Sequence, residues 1–214
     1  QFPGEEARYS GYTCYRSVVS LVHRALPPGT ALTALGHGSE FGLFPCGMGR
    51  VYWFATHNQP AAIKDSALGR KGDCLAAFAG FSEPFVQVLH ATPESAIVRH
   101  DVYDRPPLPS WSNGRVTMLG DACHPMTPNL GQGACMAIED AACLQAALAD
   151  RGLPIAVRLQ RYAAQRWQRN ARVQARSIRN GEIFHATGVV RCGRDMAMRL
   201  LGERLLDVPW LYRS

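Results

Sequence analysis

Apolar and polar positions change rhythm twice along the 214-residue chain, and the changes divide it. From Tyr9 to Val22 (YSGYTCYRSVVSLV) aromatic and β-branched residues predominate, which favours an extended strand, and Pro27-Pro28-Gly29 ends it. Phe41–Pro45 and Arg50–Thr56 flank Cys46-Gly47-Met48-Gly49, a connection rich enough in glycine to close a hairpin. Residues 9–57 therefore read as an antiparallel sheet. Residues 73–91 shift to helical spacing: two short helices are expected, with Asp73 as N-cap and a break near Ser82-Glu83-Pro84.

Strands are expected at Ala96–His100 and Arg115–Leu119, separated by the proline-rich Asp104-Arg105-Pro106-Pro107-Leu108-Pro109. Beyond them the pattern is helical. One helix should run from Gly131 to Ala149, and a second from Pro154 to Asn180 with Gly181 beyond its end. The fold class expected of this chain alone is α+β, with an antiparallel sheet domain over 8–110, a strand-loop-helix segment over 111–150 and a helical region over 151–214.

Composition narrows the functional classes. Lys+Arg 23 against Asp+Glu 17 gives a net charge of +6, carried almost wholly by arginine, since only Lys64 and Lys71 are lysines. The seven cysteines form no C-x-x-C pair, so neither a disulfide framework nor a zinc site is expected, and reduced cytoplasmic thiols are the default. No apolar run approaches the roughly 18 residues of a membrane span, and no basic-then-apolar leader opens the sequence.

Candidate chemistry concentrates in residues 114–140. A buried apolar strand (Val116-Thr117-Met118-Leu119) should end at Gly120-Asp121, where glycine permits close approach and a carboxylate can accept hydrogen bonds from hydroxyl groups. Pro125 and Pro128 stiffen the following loop. Leu130-Gly131-Gln132-Gly133 then opens a helix whose first N–H groups lack intrahelical partners, an electropositive seat for a planar ring that becomes anionic on reduction.

The string Gly120-Asp121-Ala122-x-His124-Pro125-x-x-Pro128-x-x-Gly131-Gln132-Gly133…Glu139-Asp140 resembles the second FAD-binding motif of the flavoprotein aromatic monooxygenases related to para-hydroxybenzoate hydroxylase, salicylate hydroxylase and zeaxanthin epoxidase. Residues 9–16, 49–56 and 103–108 resemble stretches of that family in the same order. The resemblance implies an α/β FAD/NAD(P)-binding architecture for the whole, with FAD as cofactor and NAD(P)H as reductant. It also implies a FAD-dependent monooxygenase that uses O2 to hydroxylate or epoxidise a small aromatic or alkene (polyene-like) substrate. It places Asp121 at the ribityl chain, Pro128 near the reactive edge of the flavin, and the backbone of Gly131, Gln132, Gly133 and Ala134 at its pyrimidine side, with Gly120, Ala122 and Leu130 also among the cofactor-binding residues. No catalytic side chain is assigned.

The family's G-x-G-x-x-G and Asp-Gly motifs do not occur in this sequence. The resemblance therefore implies a carboxy-terminal portion, inactive in isolation, whose amino-terminal half is missing or supplied by a partner chain. Two other readings stay open: a non-catalytic binding or assembly fragment, and another flavoenzyme class with the same loop, such as a halogenase.

Arg158, Arg161, Arg169, Arg172, Arg176 and Arg179, with Gln165, share one helix face. A solvated face is the first reading and nucleic acid the last, because no binding module accompanies it; carboxylates of the missing half or a partner chain are the counterpart expected ahead of open solvent. The Cys123-His124 pair is read as structural rather than metal-binding, and Glu139 and Asp140 as hydrogen-bonding or ion-pairing groups rather than an acid/base pair. Among the sheet aromatics Tyr12, Tyr15, Phe41, Phe44, Tyr52, Trp53 and Phe54, alternate residues must face opposite sides; the sequence leaves open which side meets a substrate.

Overall fold

A computed structural model describes residues 6–202 and 208–212. The expected carboxy-terminal helical region reaches residue 214; of it, 203–207 and 213–214 lie outside the described residues. The described residues form two compact units: one of residues 6–10, 103–182 and 208–212, the other of residues 11–102 and 183–202. The three consecutive segments expected from sequence are thus interleaved, because the chain beyond 182 returns to the sheet-bearing unit.

That sheet has the order β2-β3-β4-β1-β5, built from β1 (Arg8–Ser20), β2 (Leu32–Leu35), β3 (Ser39–Pro45), β4 (Arg50–Asn58) and β5 (Val98–Asp104). β3 and β4 pair antiparallel from Ser39↔His57 to Pro45↔Val51, and β4 pairs antiparallel with β1 from Tyr12↔Asn58 to Ser20↔Arg50. Pairing locks the period-2 pattern into two faces. Tyr15, Val19, Phe41, Leu43, Val51, Trp53 and Ala55 join Phe78, Phe85, Val88 and Leu89 in the main core of this unit, beside the helices α1 (Gly69–Ala77) and α2 (Phe85–Ala91). Tyr12, Cys14 and Val102, with Phe54, form a second cluster on the opposite parity.

Several expectations are corrected. Strand β2 was not anticipated; its four residues are too few for period-2 alternation to show. Asp73 is not an N-cap: α1 begins at Gly69, and the Asp73 carboxylate reaches back to the Ser66 N–H at 2.8 Å and to the Ser66 hydroxyl. The strand expected at 96–100 begins at Val98, after a 3₁₀ turn over Glu94–Ala96. The break at Ser82-Glu83-Pro84 stands, and α2 starts directly after it.

The other unit contains a small hairpin of β6 (Ser112–Asn113) and β7 (Val116–Thr117), then α3 (Gly133–Ala149) and most of α4 (Ile155–Phe184). The buried strand expected at 115–119 is reduced to β7. Its one neighbour among the described residues is β6, so Val116 stays 49% and Leu119 40% exposed. α4 does not stop before Gly181; that glycine is buried within the helix. Trp111, Cys123 and Tyr162 pack with Leu108 in one cluster, and Met136 and Val173 with Val208 and Leu211 in another.

One buried polar contact ties β4 to the end of α2. The Trp53 indole N–H donates to Thr92 Oγ1 at 3.0 Å, and that hydroxyl donates to the Val88 carbonyl at 2.7 Å. Thr92→Val keeps the shape and removes the acceptor from a fully buried indole, which should cost about 1–3 kcal/mol. A lower urea midpoint with an unchanged m value checks this.

Candidate functional site

The candidate site lies in the unit that holds α3, and its geometry is set by a carboxylate that sequence reasoning treated as secondary. Gly120 adopts φ +61°, a region that a side chain strains, and opens a 3₁₀ turn over Gly120–Ala122 that leaves Asp121 and Ala122 exposed. The Gly120 carbonyl accepts from the N–H groups of Cys123 and His124, both at 3.0 Å. Its own N–H donates to Asp140 Oδ2 at 3.1 Å. That carboxylate also meets His124 Nε2 at 2.5 Å, and at Oδ1 accepts from Arg166 Nε at 2.7 Å and Asn170 Nδ2 at 3.1 Å.

Four polar partners therefore converge on one fully buried carboxylate, about as many as its lone pairs can take. Burial works to raise the Asp140 pKa, but the contacts from His124, Arg166 and Gly120 outweigh it and hold the group down at about 2. The ionised form is the native one. Arg166 also meets Glu139 at 2.7 Å, and Arg169 binds Glu139 with two bonds of 2.7 and 2.8 Å.

The loop after the turn is fastened to a polar seam on α4. Gln174 Nε2 donates to the Pro125 carbonyl at 2.9 Å and to that of Arg105 at 3.3 Å. Ser177 and Thr127 exchange bonds of 2.9 and 2.5 Å, and Asn180 Nδ2 reaches the Asn129 carbonyl at 3.3 Å. From the other side Arg105 Nη2 donates to the carbonyls of Asp121 and Ala122 at 3.1 and 3.2 Å. Arg105 follows Asp104, itself buried and paired with Arg8 by two bonds of 2.9 Å.

Pro128–Leu130 forms a 3₁₀ turn that ends in Gly131 at φ +65°, and a Cβ built there would meet nothing within 4 Å. α3 follows with Gln132 as an N-cap that makes no side-chain capping bond, and Ala134 and Cys135 are exposed. The first amides of α3 are thus left open toward a bare approach. Gly120, Asp121, Ala122, Pro128, Leu130, Gly131, Gln132, Gly133 and Ala134 all fall on this turn, loop and helix start.

Arg105, Asp140, Arg166, Asn170, Gln174, Ser177 and Asn180 were not singled out as site residues. A usable signal existed: polar residues at 166, 170, 174, 177 and 180 recur every three or four positions and are buried, whereas the arginine stripe drew attention to the neighbouring face. For part of that stripe the counterpart lies within this chain. Glu139 on α3 holds Arg169, and Asp150 holds Arg161 at 3.7 Å; Arg172 lies over the Trp210 ring at 3.9 Å.

Folding brings Cys123, His124 and Asp140 together, with potential ligand atoms within 4.8 Å of one another. The chemistry does not suit a cation. The Asp140 oxygens are engaged and face the Arg166 guanidinium, while burial pushes the Cys123 thiol up to about 12 and keeps it protonated.

Residues 99–177 match the FAD binding domain family. The chain is 40% identical over 202 residues to the aurachin C monooxygenase/isomerase of Stigmatella aurantiaca, covering 94% of this chain and 52% of that protein. It is 46% identical over 139 residues to the chloroplastic zeaxanthin epoxidase of Solanum lycopersicum, covering 65% and 21%. Klebsiella pneumoniae HpxO, solved with FAD and uric acid, superposes with a TM-score of 0.84 at 31% identity, covering 94% of this chain and 52% of HpxO. The chain belongs to the FAD-dependent aromatic monooxygenase family. It spans about half the length of aurachin C monooxygenase and of HpxO.

In this family member the charged hub has a definite pH signature. A carboxylate held below its usual range contributes stability that is complete above the unfolded pKa of about 3.9 and is lost as pH falls toward 2. Asp140→Asn should therefore flatten the acid limb of the stability profile and, by leaving Arg166 less compensated, cost about 3 kcal/mol at neutral pH. Denaturant midpoints of both forms between pH 2 and 7 measure both effects.

Proposed function

We propose that this chain carries the flavin-ring and ribityl cradle, and the substrate sheet, of a FAD- and NAD(P)H-dependent monooxygenase that inserts oxygen from O2 into a small aromatic or alkene substrate. The carrying observation is the turn at Gly120–Ala122, locked by Asp140 and Arg105 and followed by an uncapped helix start at Gly131–Ala134. An exposed carboxylate at Asp121 suits the hydroxyls of a ribityl chain. The bare surface at Gly131 and the open amides of α3 suit the edge of a ring that gains negative charge on reduction. Bound there, FAD supplies the redox chemistry, while the protein orients it and excludes water.

The adenosine and pyrophosphate of FAD fall to residues outside this sequence or to a partner chain, because the glycine-rich motif that would hold them is not among these residues. Seven free cysteines support a reducing, cytoplasmic setting. On the sheet face opposite the main core, His185 covers Tyr12 and Thr56, while Phe44, Tyr52 and Phe54 stay half-buried and offer an aromatic wall in which Phe44 and Phe54 lie 5.9 Å apart at 22°. Aromatic or polyene carbon suits such a wall.

Asp121→Ala tests the cradle, since this exposed side chain makes no fold-critical contact. In the full-length protein it should weaken FAD binding roughly tenfold or more, as loss of a charged hydrogen bond implies, while the melting temperature of the apoprotein stays unchanged. Flavin fluorescence titration measures the affinity, and an unaltered affinity refutes the assignment. NAD(P)H- and O2-dependent product formation supports a monooxygenase, halide-dependent product points to a halogenase, and absence of bound flavin points to a non-catalytic fragment.

A further inference from the structure

Gly42 is buried in the middle of β3, between β2 and β4, with Thr33 and Phe54 as its cross-strand partners. A glycine inside a strand weakens it, and the backbone here is outside the left-handed region, so no turn geometry calls for one. What calls for it is room. A Cβ on Gly42 would overlap the Phe54 ring, standing 2.8 Å from its Cζ, and would lie 2.9 Å from Phe44 Cε2. Phe41 and Leu43 on either side of Gly42 belong to the main core, so Gly42 and Phe44 face the other way, and the Phe54 ring fills the space that a side chain at 42 would take.

The two faces of the sheet pack their aromatic rings differently. On the core face Phe41 meets Trp53, Phe78, Phe81 and Phe85 at angles between 49° and 64°, the tilted and edge contacts that fill an interior. On the opposite face Phe44 and Phe54 lie within 22° of parallel, 5.9 Å apart, and both are half-buried. The crowding at Gly42 is internal to the sheet, so it holds whatever further chain covers this face.

We propose that Gly42 is a specificity-determining residue of the substrate wall: by yielding its side-chain space to Phe54 it keeps that ring near parallel to Phe44, and the wall so formed takes a planar aromatic ring in preference to a puckered ring with an isolated double bond. On the reading of this face as the substrate side of a monooxygenase, on which the assignment rests, the substrate class narrows to planar aromatics. A flat ring gains dispersion over its whole face against rings of like orientation, whereas a puckered ring holds hydrogens out of its plane and touches at fewer points. The atoms that crowd position 42 are at the far ends of two side chains, so an alanine there turns the rings and leaves the strand pairing in place.

The test is a binding titration of the full-length, FAD-loaded protein with two probes of like size, phenol and cyclohexenol, read from the perturbation of flavin absorbance. The wild type should bind phenol roughly fivefold more tightly, as one stacking contact implies. Gly42→Ala should bring the two affinities together, mainly by weakening phenol, and Phe54→Leu should do the same. In the double variant the two effects should not add, because both act through one ring. Circular dichroism and flavin content show that each variant has folded, and Phe54→Leu, which introduces no crowding, carries the test if Gly42→Ala does not fold. No binding of phenol or equal affinities in the wild type, an unchanged ratio in Gly42→Ala or in Phe54→Leu, or additive losses in the double variant overturn the assignment. A wild type that holds no flavin or oxidises no NAD(P)H removes the monooxygenase reading and the assignment with it; one that does both while the ratio stays fixed overturns the assignment alone.

Discussion

A single buried carboxylate organises the candidate site. Asp140 sits on α3, yet its partners come from the turn at Gly120, from His124 in the following loop, and from Arg166 and Asn170 on α4. An ionised group in a dry interior is tolerable only when its lone pairs are filled and its charge is balanced. Satisfying Asp140 therefore dictates where the turn, the loop and the two helices meet. The exposed carboxylate of Asp121 and the bare helix start at Gly131 take their places from that arrangement.

The same logic explains why the loop carries so little regular structure and is still held firmly. Its carbonyls at Asp121, Ala122, Pro125, Thr127 and Asn129 accept hydrogen bonds from Arg105, Gln174, Ser177 and Asn180. Side chains supply what a β-ladder or helix would otherwise supply. At the end of the loop a Cβ on Gly131 would meet nothing within 4 Å, so that point is open.

The motif from Gly120 to Asp140 was readable because its glycines, prolines and acids stand in fixed order, and the hairpin at 46–49 because glycine connections are local. What escaped was non-local. The inward role of Arg166 depends on α3 carboxylates some 26 residues away in sequence, and helical spacing alone cannot say which arginines on α4 face them. β7 read as a buried strand because its residues are apolar, but burial needs neighbouring strands, and β6 is the one it has among the described residues. Gly181 read as a stop, yet a glycine in a buried helix interior is tolerated when packing outweighs its cost of about 1 kcal/mol. The parity of the sheet aromatics was settled by where α1 and α2 pack, which no residue in the strands specifies.

Hydrogen–deuterium exchange of the full-length protein with and without FAD addresses the central claim most directly. If the proposed cradle is right, the amides of Gly120–Ala122 and Gly131–Cys135 become protected on FAD addition, with little change along β1–β4. Protection confined to the sheet, or absent from both of those segments, would contradict the account.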